Sequence, residues 1–471
     1  MKNYYVSKYL NIIPVGDSSL LFNGYNGCLD QISNELATLL NHSTEKSLAE
    51  NISESEIEFL LKRGHLTKLT PEEERNEFKK VAEKFDEYNL KINSQQGSLM
   101  LLLSYDCNLD CYYCYQKPIR EQKTNKLMTP QFIDELFSRY YQKLFNNIAL
   151  ENISLTLYGG EPLLRKNRSA IERILYYAKE YRSHVAAISN CTQLADYADL
   201  LGPLPGMINF IQVSLDGGEE IHDRSRINCF QEPTFNTIIK NIHLMLDKKV
   251  KTNIRINSEI NVLEKIDSLY QYLEAEEILN HPYAYVYLHP LHNHFHQTED
   301  SHFVNHQEAA ATIESLGNKK IRHPIRRKAE SLAYLMQLQK GIAFRKTRFC
   351  MQNIPNSYLI DPDGDLYSCY EEPGRDELKI GSLINGEVKF TQLKTECLNR
   401  SIPNLDKCLD CSVALLCGGE CGVRAREQNG SIFKPHCDSR KEETYEAIKY
   451  LYLEKIENKQ LDPLNIIFPN L

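Results

Sequence analysis

Cys107, Cys111 and Cys114 stand close together directly after an apolar run, spaced C-x3-C-x2-C. One loop thus supplies three thiolates and no fourth local ligand. Structural zinc takes four ligands, and an open position marks a reactive metal site. A four-iron cube held by three cysteines leaves one iron free for something that is not protein. The chemistry this spacing points to is iron–sulfur chemistry on a bound small molecule.

Other candidate residues follow at intervals. Gly159-Gly160-Glu161-Pro162 joins two glycines, which let backbone approach a ligand closely, to a carboxylate acceptor. Ser189-Asn190 is a polar pair. Ser214-Leu215-Asp216-Gly217 precedes His222-Asp223 and Arg226, whose planar guanidinium suits a carboxylate. His222 and Asp223 also read as the turn before a helix, and Val262 and Leu263 as plain core. Six of the 14 histidines (His289, His292, His294, His296, His302 and His306) fall in one stretch. A polar loop is the ordinary reading there, and a metal or proton-relay site the sharper one.

A second cysteine group runs Cys350-x13-Gly364-x4-Cys369, then Cys408-x2-Cys411-x5-Cys417-x3-Cys421, then Cys437. Two zinc sites are the structural alternative for it. The run Asp361-Pro362-Asp363-Gly364-Asp365 lacks the remaining positions of a calcium loop, and Asp-Gly at its centre reads as a hairpin turn. Cys28, Cys191, Cys229 and Cys397 stand apart and read as small core residues.

Taken together, the C-x3-C-x2-C loop, Gly-Gly-Glu-Pro and S-L-D-G-x4-H-D-x2-R resemble the radical S-adenosylmethionine (SAM) enzymes that modify peptides and proteins. The later cysteines resemble the seven-cysteine SPASM extension. The resemblance implies a [4Fe-4S] cluster on Cys107, Cys111 and Cys114 whose open iron binds SAM. It places Tyr113 beside the adenine, Gly159, Gly160 and Glu161 at the methionine amino group, and Ser189 and Asn190 near the ribose. Ser214 and Arg226 would hold the methionine carboxylate, with Val262 flanking the adenine; Asp216 would touch substrate or only cap its turn. Two auxiliary [4Fe-4S] clusters are implied. Cys350, Cys369 and Cys421 would hold the first, with Cys397 or a loop histidine as candidate fourth donor. Cys408, Cys411, Cys417 and Cys437 would hold the second. The implied function is maturation of a precursor peptide bearing a leader sequence, by a thioether or carbon–carbon cross-link, with flavodoxin or ferredoxin as electron donor. The runner-up is an anaerobic sulfatase maturase, but those enzymes carry an Asp where Tyr370 stands. A non-catalytic metal scaffold leaves Glu161, Ser214 and Arg226 without a task.

These residues need elements to position them. Strand candidates at 98–104, 153–158, 184–189, 209–215, 252–260 and 283–289 alternate with helical segments. Such alternation predicts an α/β fold with parallel strands, a partial (β/α)6 TIM-like barrel whose active site lies at the C-terminal strand ends. Residues 1–95 read as a winged-helix-like leader-recognition module, with strands at 9–15 and 19–24, helices at 28–40 and 53–63, and a helix start at Thr70-Pro71. The barrel is expected over 96–310, a helical bridge over 311–348, the SPASM domain over 349–440 and a closing helix and tail over 441–471.

The chain has 471 residues and a net charge of −8, so no nucleic-acid face is expected. The basic run at 319–328 reads as a solvated helix start, or else as a patch for an acidic peptide or a reductase. No apolar run suits a bilayer, and Met1-Lys2-Asn3-Tyr4-Tyr5 lacks the apolar region of a secretory signal. The cytoplasm is therefore the expected location, and there clustered cysteines read as metal ligands or catalysts.

Overall fold

The computed structural model describes residues 4–42, 52–146, 148–291, 303–317, 320–337, 345–437 and 439–457. The chain forms two compact units: residues 1–90, 325–353 and 399–471 make the first, and 91–324 and 354–398 the second. Among the described residues no helix is long and apolar enough to cross a membrane.

The first unit opens with β1 (Tyr5–Val6), then an antiparallel meander of β2 (Leu10–Val15), β3 (Ser18–Asn23) and β4 (Leu29–Ser33). Helices α1 (Asn34–His42) and α2 (Glu54–Lys62) follow, then β5 (Leu66–Thr67), paired with β1, and the long α3 (Pro71–Asn93). The helix expected at 28–40 is therefore half strand. Gly27, at φ +81°, turns the chain back along β3, with Asn23 N–H bonded to the Cys28 carbonyl at 2.9 Å. The ladder this creates overrides the helical spacing of the apolar residues, and α1 starts only after Ser33. Thr70 caps α3 as expected, its hydroxyl and N–H both bonded to Glu73 at 2.9 Å.

The core of this unit joins distant stretches of chain. Tyr9 stacks on Phe78 at 4.3 Å, and both pack with Ile402, Leu405, Leu409 and Leu415. The Tyr9 hydroxyl donates to the Leu409 carbonyl at 2.7 Å, which satisfies the one polar atom that its burial brings along. Asp86 accepts Arg348 Nε and Nη2, both at 2.8 Å, in a buried ion pair.

The second unit is built on one sheet. Its parallel strands are β6 (Gly97–Leu102), β7 (Ile153–Tyr158), β8 (Val185–Ser189), β9 (Ile208–Leu215), β10 (Lys251–Ser258) and β11 (Ala284–Pro290), side by side in chain order. β12 (Ser357–Ile360) adds parallel to β6, and β13 (Asp365–Tyr367), β14 (Gly381–Ile384) and β15 (Glu387–Phe390) continue antiparallel. Each expected strand lies within two residues of one observed. The sheet is open: β11 and β15 are its edges. Val213, Leu215, Ile254, Ile256 and Leu288 are fully buried on one face, whereas Gln212, Ser214, Arg255 and His289 on the other keep some exposure. The Asp361–Asp365 stretch is the β12–β13 hairpin turn, with the Asp361 carboxylate accepting the N–H groups of Asp363 and Asp365 at 3.0 and 2.9 Å.

Candidate active site

All the strand-end motifs sit at the C-terminal edge of the parallel strands. That is where open α/β sheets bind ligands, because the loops there are free to vary while the strands hold their ends in register. The cysteine loop follows β6. It is clamped by Arg120, which donates to the Leu109 carbonyl at 2.7 Å, and by the 227–229 segment, through Asp110 N–H to Ile227 at 2.8 Å and Cys229 N–H to Asn108 at 3.0 Å.

The glycines after β7 serve this loop. A side chain at Gly159 would lie 2.4 Å from the Ser104 carbonyl, and one at Gly160 2.3 Å from that of Tyr105. Gly160 N–H and Glu161 N–H bond to Ser104 and Asp106 at 2.9 and 2.8 Å. The close approach that Gly-Gly permits is thus made by the protein's own backbone. The Glu161 carboxylate, buried, accepts the Ser189 hydroxyl at 2.6 Å and the N–H groups of Asn190 and Leu163 at 2.6 and 2.8 Å. Burial pushes its pKa up, and these three donors oppose the shift. Asn190 reaches Cys107 Sγ at 3.8 Å and Asn108 at 3.0 Å.

After β9, Asp216 becomes the centre of a buried network. It accepts the Tyr113 hydroxyl and the Asn257 amide, the latter at 2.9 Å. Arg226 donates to the Tyr113 oxygen at 2.7 Å and lies 3.7 Å from Asp216. Burial raises the Asp216 pKa, with Arg226, Tyr113 and Asn257 pulling against it. The hydroxyl of Tyr113, expected to lend its ring to adenine, ties the cysteine loop to Asp216 and Arg226. Asp216 N–H donates to His222 Nδ1 at 3.2 Å, so the ring proton sits on Nε2 and faces Thr234 Oγ1 at 3.2 Å. Burial and the Arg226 charge hold that imidazole neutral. Asp223 accepts the N–H groups of Thr234 and Phe235 at 2.7 and 2.9 Å. His222 and Asp223 are therefore the frame behind Arg226; they lie inside a short helix, Glu219–Ser225, and not in a turn before one. Ser214 is half-buried on β9, and Val262 is buried against Gly217.

The residues fit the group that the cysteine spacing calls for. All three loop thiols are free. Burial raises Cys107 to about 12, helped by Glu161 and Cys111, and Cys111 to about 11, opposed by Arg226. Thiols held this high become ligands only when a metal's charge displaces their protons. Arg226 Nε is buried without a hydrogen-bond partner, an orphan donor beside the loop that an anionic ligand would satisfy. Among the described residues no three His, Cys, Asp or Glu side chains close around a point fit for a single ion.

In the first unit, burial and the neighbouring Cys417, Cys411 and Cys437 all raise the Cys408 thiol, so these four cysteines lie within electrostatic reach of one another. Cys350 and Cys421 belong to the same unit, whereas Cys369 and Cys397 belong to the second. Cys397 is buried, its sulfur 3.5 Å from Ser368 Oγ. Of the histidine stretch, His289 lies at the end of β11 and His306 starts a helix; His292, His294, His296 and His302 fall outside the described residues.

Sequence reading missed several members of the site. Asn257 joins Tyr113 to Asp216, Tyr112 donates to Glu259, and the phenols of Tyr115 and Tyr158 meet beneath the Tyr370 carbonyl. The signal for Asn257 was present: with Asn253 and Arg255 it forms a polar row at alternate positions of β10, between buried isoleucines.

Residues 101–264 match the family model of the radical SAM superfamily. The cysteine-type anaerobic sulfatase-maturating enzyme of Clostridium novyi is 24% identical over 351 residues, covering 70% of this chain and 90% of that protein. The structure of anSMEcpe with bound AdoMet superposes with a TM-score of 0.56 at 18% identity, over 77% of this chain and 99% of that one. Streptococcus suis SuiB bound to its precursor peptide SuiA superposes at 0.53 and 15% identity, over 93% and 99%.

Proposed function

We propose that this chain, which carries a radical SAM domain, is a peptide maturase that removes hydrogen from a ribosomally made precursor and leaves a thioether or carbon–carbon cross-link. The observation that carries the reading is the convergence of three free thiols, the Gly159–Glu161 turn and the orphaned Arg226 Nε at one edge of the sheet. A [4Fe-4S] cluster and SAM bound there would supply the one-electron chemistry for taking hydrogen from an unactivated carbon.

The chain's own residues do the positioning. Cys107, Cys111 and Cys114 would hold the cluster. Arg226 and Ser214 would take the methionine carboxylate, with Asp216, Tyr113 and Asn257 fixing the guanidinium. Glu161 keeps one lone pair for the amino group, since three of its roughly four acceptor sites are used. Cys408, Cys411, Cys417 and Cys437 would hold an auxiliary cluster in a SPASM-type domain. Residues 1–90 would present a β-edge to the leader peptide, which adds to it as a strand.

A second reading, sulfatase maturation, is favoured by the relatives' names. Two observations weigh against it: the SuiB likeness spans more of this chain than the anSMEcpe likeness, and Tyr370 stands where an Asp is expected. The test is anaerobic reconstitution with SAM, dithionite and the product of a neighbouring short reading frame. Formation of 5′-deoxyadenosine and a peptide lighter by two hydrogens is expected. Formylglycine in a sulfatase peptide would establish the second reading, and absence of 5′-deoxyadenosine would remove both.

A further inference from the structure

Arg255 lies on β10 with Ser214 of β9 and Tyr287 of β11 as its register partners. Its strand neighbours Ile254 and Ile256 are fully buried on the opposite face, whereas Arg255 is half-buried on the face that carries Ser214, Asp216 and Asn257. Among the described residues the guanidinium makes one hydrogen bond, from Nε to Asn257 Oδ1 at 2.9 Å. No carboxylate among the described residues forms an ion pair with it. Asp216, an acid within its field, is bonded to Tyr113 and Asn257 and lies beside Arg226. The same field reaches the Tyr370 phenol. On the same face Tyr287 is fixed by donating to Gln212 Oε1 at 2.8 Å.

A partly desolvated guanidinium with no acid of its own is costly unless a ligand supplies the anion. Its planar fork matches a carboxylate by two parallel hydrogen bonds. The methionine carboxylate already has Arg226. Arg255 stands two residues further down the strand than Asn257, about 7 Å at the usual rise, away from the cysteine loop and deeper on the open face.

We propose that Arg255 is a specificity residue that receives the side-chain carboxylate of an Asp or Glu close to the modified position of the peptide. This rests on the peptide-maturase reading. The test uses short peptide pools, N-acetylated and C-amidated so that no terminal carboxylate remains. One pool carries Asp or Glu at a fixed position, a second Asn or Gln, and a third Lys. Each is titrated into the anaerobically reconstituted full-length protein with SAM present, and binding is read by fluorescence anisotropy.

The acidic pool is expected to bind the native protein at least about tenfold more tightly than the amide pool, the scale of one charge-assisted pair. Arg255→Gln should level the two, and Arg255→Glu should turn the preference toward the Lys pool, a reversal that a merely structural residue would not give. Equal binding of the acidic and amide pools by the native protein overturns the proposal and needs no variant. So does a preference that survives in Arg255→Gln, or a loss confined to SAM affinity. Failure of the underlying reading is seen separately, as absence of 5′-deoxyadenosine in the native protein.

Discussion

At the scale of single residues, the site is organised around charge that lacks water. Arg226 is buried with Nε unsatisfied, and Tyr113 and Asp216 hold its other edge, themselves bonded to Asn257. A lysine there keeps the charge and loses the fork. We expect Arg226→Lys to weaken SAM binding by roughly ten- to a hundredfold, from about 1.5–3 kcal/mol per charged hydrogen bond, measured by equilibrium titration of the reconstituted protein. A second buried group lies in the first unit. His65 is fully buried against Asp30 at 2.6 Å, and burial lowers its pKa more than Asp30 restores it. The Asp30 pKa, raised by burial, ends lowered by His65 and Arg63. Both groups bind protons more readily when unfolded, so stability is full above the unfolded histidine value of about 6.5 and is lost as pH falls through the lowered values. The thermal midpoint should drop below about pH 6.5, and His65→Gln should flatten the upper part of that fall. A native profile already flat there would contradict the assignment.

At the scale of elements, the decisive contact is between two loops. The turn after β7 lies against the cysteine loop so closely that a methyl group at Gly160 would meet the backbone oxygens of Tyr105 and Asp106 at 2.3 and 2.4 Å. Backbone cannot swing aside as a side chain can. Gly160→Ala should cost on the order of 1–3 kcal/mol and cut the iron bound per chain by distorting the cysteine loop. Iron and sulfide assays against native protein check this; full iron content in the variant would show that the loop tolerates displacement. The motif Gly-Gly-Glu-Pro was legible in the sequence, but its partner was not, because spacing along a chain says nothing about which backbone arrives from another strand.

At the scale of the whole molecule, the N-terminal segment and the C-terminal cysteine region share a core in the first unit. Tyr9, Phe78 and Ala82 pack with Ile402, Leu405, Leu409 and Leu415, and Gly24 touches the Ser412 carbonyl so closely that no side chain fits there. Phe78→Ala should therefore cost about 3–5 kcal/mol and lower the thermal midpoint of the first unit, read by calorimetry. Removing residues 1–90 should expose the apolar face of the 402–415 segment and give aggregation as well as loss of peptide binding. A truncated chain that stays soluble with its iron intact would show that the shared core is dispensable.

The sequence by itself exposed the clustered cysteines, the motifs that carry Glu161, Ser214 and Arg226, and six strands alternating with helices. Cysteine spacing and the two-residue alternation of apolar side chains are local properties that one reading of the chain exposes. The tertiary structure alone decided that residues 29–33 form a strand, that the Tyr113 hydroxyl meets Asp216, and that Arg255 faces the open side of the sheet with no ion-paired carboxylate among the described residues. Each of these turns on what another segment brings within hydrogen-bond or ion-pair distance, and that distance is set by packing between segments far apart in sequence.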